Sequence, residues 1–203
     1  GPHRGAAGGA RMSPAAFVRL AWQTVTAPRE VAQLLIAARL SHEAILTAMA
    51  LVVALNALVM GILQASMGAG ALPFVMSPVL FGALLAAMLV VSVMVLTGVG
   101  RMLGGAARAE DLAVLLAWLQ AVRILWQVIV AVAALLAPPL ASILAVLGFL
   151  AGIYIFLNFL DVAHGFDNLL RALAVLVIGG LALVMAMSLL VSLMGISPNA
   201  MAI

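Results

Sequence analysis

A 25-residue stretch, residues 112–136, constrains the fold more than any other part of the chain. It reads LAVLLAWLQAVRILWQVIVAVAALL and holds a single charged residue, Arg123, near its middle. About 20 helical residues cross the hydrocarbon core of a bilayer, so this stretch predicts a transmembrane helix. An arginine at bilayer depth costs about 2.5–3.5 kcal/mol on insertion scales, so it has to face protein, face water or reach a surface. The other hydrophobic segments are therefore expected to form a bundle around this helix.

The composition requires lipid as the solvent for much of the chain. Of its 203 residues, 67% are hydrophobic and 7% are charged, whereas soluble domains average about 45–50% and 25%. The chain has no cysteine, which excludes disulfides, thiolate catalysis and cysteine metal sites. The net charge is +3, and there is no lysine, so the nine residues counted as cations are all arginines. Because these arginines flank hydrophobic segments, they indicate membrane topology, and no nucleic-acid partner is expected.

The chain divides into a leader, an amphipathic segment and a membrane domain. Residues 1–12 begin with the Gly-Pro that tag removal leaves and are expected to be a disordered leader. Residues 13–40 predict two short amphipathic helices, which either lie in the membrane interface with Trp22 as an anchor or pack on the cytoplasmic end of the bundle. Residues 44–195 predict an all-α, polytopic membrane helix bundle. Its five spans are expected at residues 44–66, 79–100, 112–136, 140–160 and 169–194.

The placement of the arginines predicts the orientation of the spans. Apart from Arg123, they lie before the first span, between the second and third spans, or at the start of the fifth. The loop after the first span, the Pro138-Pro139 turn and the C-terminal tail contain none. Arginine concentrates in cytoplasmic segments. The N-terminus is therefore expected in the cytoplasm and the C-terminus in the periplasm, across a bacterial inner membrane.

The third span carries polar residues that predict an intramembrane polar site. Gln120 and Gln127 share a helical face with Arg123. Asn56 of the first span lies at a similar depth in the membrane when residues are counted from the cytoplasmic end of each span. No carboxylate matches that depth. Two interpretations stay open: these four residues line a polar cavity, or Arg123 reaches back to the cytoplasmic surface as a snorkelling anchor.

Small residues line one face of the fourth span. Ala141, Ala145, Gly148 and Gly152 recur at helical spacing, and small residues let helix backbones approach in lipid. They predict either packing within one chain or an interface with a partner. In both cases a large residue at Gly152 is expected to disrupt that packing.

Polar residues at the cytoplasmic helix ends form the third candidate set, composed of His42, Glu43, Asp161, His164, Asp167 and Arg171. The two histidines lack the spacing of metal ligands, and helix capping explains the same residues. No metal and no cofactor is expected. Gly165 is typical of a helix C-terminus, and Asp167 is expected to cap the last span.

The layout resembles a known family. Short amphipathic helices contain the break TVTAPRE, and five spans follow, with AHGF between the last two. This resembles bacterial members of the Yip (Ypt-interacting protein) domain family of five-span membrane proteins, over residues 13–194. Eukaryotic relatives bind small Rab-type GTPases in vesicle traffic. Their acidic, aromatic N-terminal region is missing here, so that partner does not carry over, and the resemblance brings no catalytic residues.

The functional expectation is interaction rather than chemistry. The sequence has no nucleophile elbow, P-loop or dinucleotide fingerprint, so an enzyme is not expected. We expect a scaffold, accessory subunit or membrane organiser whose partners are membrane lipid and either another protein or a second copy. The alternative is a small transporter or channel component with its site around Arg123. The far half of the bundle supplies few polar groups, which predicts that no continuous water-filled path exists.

Overall fold

The computed structural model describes residues 13–67 and 77–193, and the regular structure in both stretches is entirely helical. The helices are α1 (Pro14–Thr26), α2 (Pro28–Ala37), α3 (His42–Met67), α4 (Pro78–Met102), α5 (Ala109–Leu136), α6 (Pro138–His164) and α7 (Leu169–Leu193). Helices α3 to α7 are each long and apolar enough to cross a membrane. The prediction of an all-α bundle with five spans is confirmed. The leader expected at residues 1–12 lies outside the described residues.

Serine and proline set where two of the helices begin. The Ser13 hydroxyl accepts a hydrogen bond from the backbone N–H of Ala16 at 3.2 Å, and Pro14 occupies the first helical position. Ser77 caps α4 in the same way, with its hydroxyl 3.2 Å from the nitrogen of Leu80. A serine cap followed by proline is a common helix start, because the hydroxyl satisfies a free N–H and proline has none to lose.

The five long helices alternate in direction, so the starts of α3, α5 and α7 meet the ends of α4 and α6. We call this the proximal end of the bundle and the opposite end the distal end. Ile45, near the start of α3, lies in one buried cluster with Leu112, near the start of α5. Leu160, near the end of α6, and Ala172, near the start of α7, belong to the same cluster.

The packed core lies toward the proximal end. Residues 112–118 of α5 are all buried, enclosed by the neighbouring helices. Leu135 and Leu136, at the distal end of the same helix, are 87% and 81% exposed. The long helices are therefore joined by protein contacts mainly at the proximal end, and toward the distal end more of their apolar surface is left for lipid.

Helices α1 and α2 pack on the proximal half of α5 and α6. Val31 and Ala32 of α2 are buried in a cluster with Trp118 of α5 and Phe159 of α6. The structure thus has the N-terminal helices packed on the bundle, one of the two expected arrangements. The exposed surface of α1 also carries apolar residues beside Arg19 and Gln23, and Trp22 among them is 69% exposed. This outward face suits the membrane interface, so the two expected arrangements are compatible.

Candidate functional site

Three of the four predicted intramembrane polar residues form one hydrogen-bonded cluster. Arg123 donates from Nε to Oε1 of Gln120 at 2.7 Å and from Nη2 to Oδ1 of Asn56 at 2.8 Å. Asn56 is buried and donates its own Nδ2 to the carbonyl of Val52 at 2.7 Å, which fixes its amide. Gln127, one turn farther along α5, is exposed and outside this cluster. The bond to Asn56 favours the interpretation of Arg123 as a member of a polar cluster between α3 and α5, although Arg123 itself is exposed at the surface of the bundle.

A shallow cavity of 440 Å³, open to the outside, lies between α4 and α7. Its lining residues are Met88, Gly180, Leu183, Val184, Met187 and Ser188. The surface of this cavity is almost entirely apolar, and the Arg123 cluster does not line it. The cavity therefore suits acyl chains better than a hydrated solute.

An ion-pair cluster fixes α2 to the corner between α6 and α7. Arg29, in the first turn of α2, donates from Nη1 to Oδ2 of Asp161 and from Nη2 to Oδ1 of Asp167, the second bond measuring 3.2 Å. The Asp161 side chain is fully buried, and its Oδ1 accepts the backbone N–H of Asn168 at 2.9 Å. Both oxygens of the buried carboxylate are thus satisfied, as burial of a charge requires.

Asp167 has a different role from the one expected. It lies at φ 48°, in the left-handed region that aspartate tolerates, and its side chain is 90% exposed. The cap of α7 is provided by Asn168, whose Oδ1 accepts the N–H of Leu170 at 2.9 Å. The expectation that Asp167 caps the last span is therefore wrong. The expected helix end at Gly165 is confirmed, since this glycine terminates α6 at φ 64°.

A second polar contact fixes α1. The indole N–H of Trp118 donates to Oγ1 of Thr24 at 2.9 Å, and that hydroxyl donates to the carbonyl of Leu20 at 2.8 Å. Thr24 is fully buried, and the ring of Phe17 meets Trp118 edge-on with centroids 5.3 Å apart. Buried indole and hydroxyl groups need such partners, so the contact specifies one docked position for α1.

His164 occupies a space that two glycines leave open. Its side chain is buried, and its ring stacks on Phe166 with centroids 5.0 Å apart. A Cβ at Gly100 or at Gly105 would collide with the imidazole. The carbonyl of His164 also accepts the N–H of Ala106 at 3.1 Å. His164 thus joins the α4–α5 loop to the end of α6.

The other residues of the predicted cytoplasmic set, His42, Glu43 and Arg171, are exposed. His42 lines an open cavity of 260 Å³ between α2, α3 and α5. The charged residues in the lining of that cavity also include Arg39, Arg108, Glu110 and Asp111. Among the described residues, no group of three or more histidine, aspartate or glutamate side chains is placed to hold a metal ion.

The four small residues of α6 do not form one continuous contact. Ala141 is buried, and a Cβ at Gly148 would collide with the indole of Trp126, whose N–H donates to the carbonyl of Leu144 at 3.1 Å. Ala145 is exposed, and a Cβ at Gly152 would meet nothing within 4 Å. The expectation of disrupted packing is therefore wrong for Gly152 within a single chain, because the space beside it is open.

Comparison with known proteins identifies the family. A family model, that of the Yip1 domain, matches residues 22–190. The chain belongs to the Yip1 domain family. The Yip1 match runs from Trp22 in α1 into α7, so it includes the Arg29 cluster, the Arg123 cluster and His164. The predicted resemblance is thereby confirmed. No curated protein and no solved structure matches the chain.

Proposed function

We propose that this Yip1 domain protein acts by interaction, as a scaffold, accessory subunit or membrane organiser, with no chemistry of its own. The observation that carries the proposal is the bond of Arg29 to Asp161 and Asp167. It fixes an amphipathic helix to the corner of two membrane spans. The bond of Ala106 to the carbonyl of His164 adds the α4–α5 loop to the same corner. These segments therefore form one preorganised surface at the proximal end, and preorganisation lowers the cost of binding a partner.

The proximal surface consists of α1 and α2, the α4–α5 loop at residues 103–108 and the α6–α7 loop at residues 165–168. Its α2 face presents Glu30 and Gln33 to the outside. Charged and amide groups on a rigid support suit the polar rim of a protein interface. Exposed apolar residues of α1 border this polar face, so the partner would be met at the level of the membrane surface.

We place the proximal surface in the cytoplasm of a bacterial cell, with the chain in the inner membrane, because the arginines concentrate at that end. The chain has no cysteine, so single cysteines report on one side each. In intact cells, Ser13→Cys should be protected from a membrane-impermeant maleimide and Ala200→Cys should be labelled. Labelling in the opposite pattern would reverse the orientation.

The interaction function is tested by photocrosslinking in native membranes. A photoreactive phenylalanine analogue at Gln33, on the exposed face of α2, should give a discrete protein adduct of higher mass. The same group at Val146, which is exposed on α6 away from the proximal end, is the control and should label lipid. Arg29→Ala should weaken the adduct at Gln33, because α2 loses its fixed position. Equal protein adducts at both positions, or none at Gln33, would refute the proposal.

A small transporter or channel component is the second candidate, and the Arg123 cluster is the observation that favours it. A transported anion would need a polar route past Arg123 and out through the distal half. Proteoliposomes loaded with an anion-sensitive dye distinguish the two functions. The interaction function predicts no flux above that of protein-free liposomes. A flux that Arg123→Leu abolishes and Gln127→Leu preserves would establish the transporter instead.

A further inference from the structure

Within residues 13–67 and 77–193, the guanidinium of Arg123 has no anionic partner. Its two hydrogen-bond acceptors, on Gln120 and Asn56, are neutral amides. All six carboxylate residues belong to the described part of the chain, and none of the ion pairs found there includes Arg123. A positive charge beside lipid without a counter-charge is costly, so an anion from outside the chain is expected to approach it.

The depth of Arg123 can be counted from the docked helix α1. The Trp118 indole bonds to Thr24 of α1, an amphipathic helix of the kind that lies in the bilayer interface. Arg123 lies five residues farther along α5, about 7.5 Å deeper at 1.5 Å per residue. From Trp118 to Leu136 the helix runs about 27 Å, close to the roughly 30 Å of a hydrocarbon core. Arg123 is therefore within a side chain's reach of the headgroup phosphates.

The two amides also orient the guanidinium. They take up Nε–H and one hydrogen of Nη2, which leaves the Nη1 hydrogens and the second Nη2 hydrogen for another ligand. Arg123 is exposed as a residue, and the edge that the two amides leave unbonded is the part that we expect to face the lipid. A guanidinium edge with paired N–H donors matches two oxygens of a phosphate group.

We propose that Arg123, oriented by Asn56 and Gln120, binds the headgroup phosphate of an anionic phospholipid from the proximal leaflet. The site lies within the membrane and is separate from the proximal surface of the proposed function, so either can fail without the other. The proposed site is compatible with both interpretations of Arg123, as part of a polar cluster and as a snorkelling residue. The side chain belongs to the cluster with Asn56 and Gln120 and still reaches toward the interface. Free inorganic phosphate presents the same oxyanion as a lipid headgroup. The experiment therefore has to distinguish the lipid from free phosphate as the ligand.

Native mass spectrometry of the full chain in detergent, titrated with phosphatidylglycerol or with phosphatidylcholine, measures the binding. We expect phosphatidylglycerol to bind more tightly than phosphatidylcholine, and Arg123→Leu to weaken its binding roughly tenfold, the loss of one charge-assisted contact. Asn56→Asp is the second variant, because a carboxylate at that position would pair with Arg123 internally and displace the lipid. Arg19→Leu, an exposed arginine of α1, is the matched control and should bind like the unaltered chain.

The outcomes decide between the sources of the anion. Weaker lipid binding in both cluster variants, no effect of the control and no competition by millimolar inorganic phosphate would support the site. Should Arg123→Leu fail to fold, Asn56→Asp decides the matter on its own. Unchanged phosphatidylglycerol affinity in Asn56→Asp would overturn the proposal. Displacement of the lipid by inorganic phosphate would overturn it in favour of a soluble anion.

Discussion

Removal of the Arg29 side chain should loosen the docked N-terminal helices. Arg29→Ala leaves the fully buried carboxylate of Asp161 with the single N–H of Asn168. Breaking a buried pair by deleting one partner costs about 3–5 kcal/mol. The Arg29 side chain is 42% exposed, so water replaces part of what it donates. We therefore expect the lower range for hydrogen bonds to charged groups, about 1.5–3 kcal/mol.

Thermal unfolding in a mild detergent measures this cost. For a chain of this size the midpoint falls about 2–4 °C for each kcal/mol, so Arg29→Ala should lower it by roughly 3–12 °C. Arg108→Ala is the matched control. It removes an arginine that forms an exposed ion pair with Glu110, in which Nη2 of Arg108 lies 3.4 Å from Oε2 of Glu110. Exposed pairs contribute about 0–1 kcal/mol, so the control should hardly move the midpoint.

A double variant tests the cause of the effect. If the loss comes from an uncompensated buried charge, Asp161→Asn added to Arg29→Ala should recover part of the stability, because the amide is neutral. An Arg29→Ala midpoint no lower than that of Arg108→Ala would refute the reasoning. So would a double variant less stable than Arg29→Ala alone.

Three further predictions use the same unfolding assay. Gly148→Leu should cost about 1–3 kcal/mol by overpacking, whereas Gly152→Leu should leave the midpoint unchanged. Two unchanged midpoints would contradict the contact of Gly148 with Trp126, and two lowered midpoints would contradict the open space beside Gly152. Gly100→Ala should destabilise the protein by a similar amount, because the added Cβ collides with the imidazole of His164. Gly98→Ala, which has open space beside it, should be neutral or stabilising by about 0.5–1 kcal/mol. The reverse order of stability would contradict the packing of His164 against Gly100. Trp118→Phe should cost about 1 kcal/mol by leaving a buried hydroxyl without its donor, and no loss would mean that the indole bond is not formed.

The elements that local chemistry controls were predictable. The apolar runs indicated five spans, and Ser13, with the proline after it, indicated the start of α1. Gly165 indicated the end of α6. The contact between Asn56 and Arg123 was also predictable. Helices α3 and α5 run parallel, and the two residues lie at similar distances from the starts of their helices.

The contacts that depend on which helices are neighbours were not predictable. In the sequence, Arg29 lies within the segment predicted to form two amphipathic helices, and Asp161 lies at a predicted helix end. Nothing local connects them, since they are 132 positions apart in the sequence. The requirement for glycine at Gly100 and Gly105 was not predictable either. It becomes clear only in the structure, where the ring of His164 occupies the space that a Cβ at either position would need. The hydrogen bond from Trp118 to Thr24 was not predictable for the same reason, since the two residues are on different helices.

The position of the core has a consequence for the order in which the chain is assembled during synthesis. The N-terminal helices leave the ribosome first, but their partner Asp161 is made 132 residues later, and the cluster that completes the core includes Ala172 and Val175 of α7. Insertion of the spans therefore precedes docking of α1 and α2. During that interval the exposed Trp22 would favour binding of α1 at the bilayer interface. The Arg29 ion pairs can therefore close only after the loop that holds Asp167 has been made.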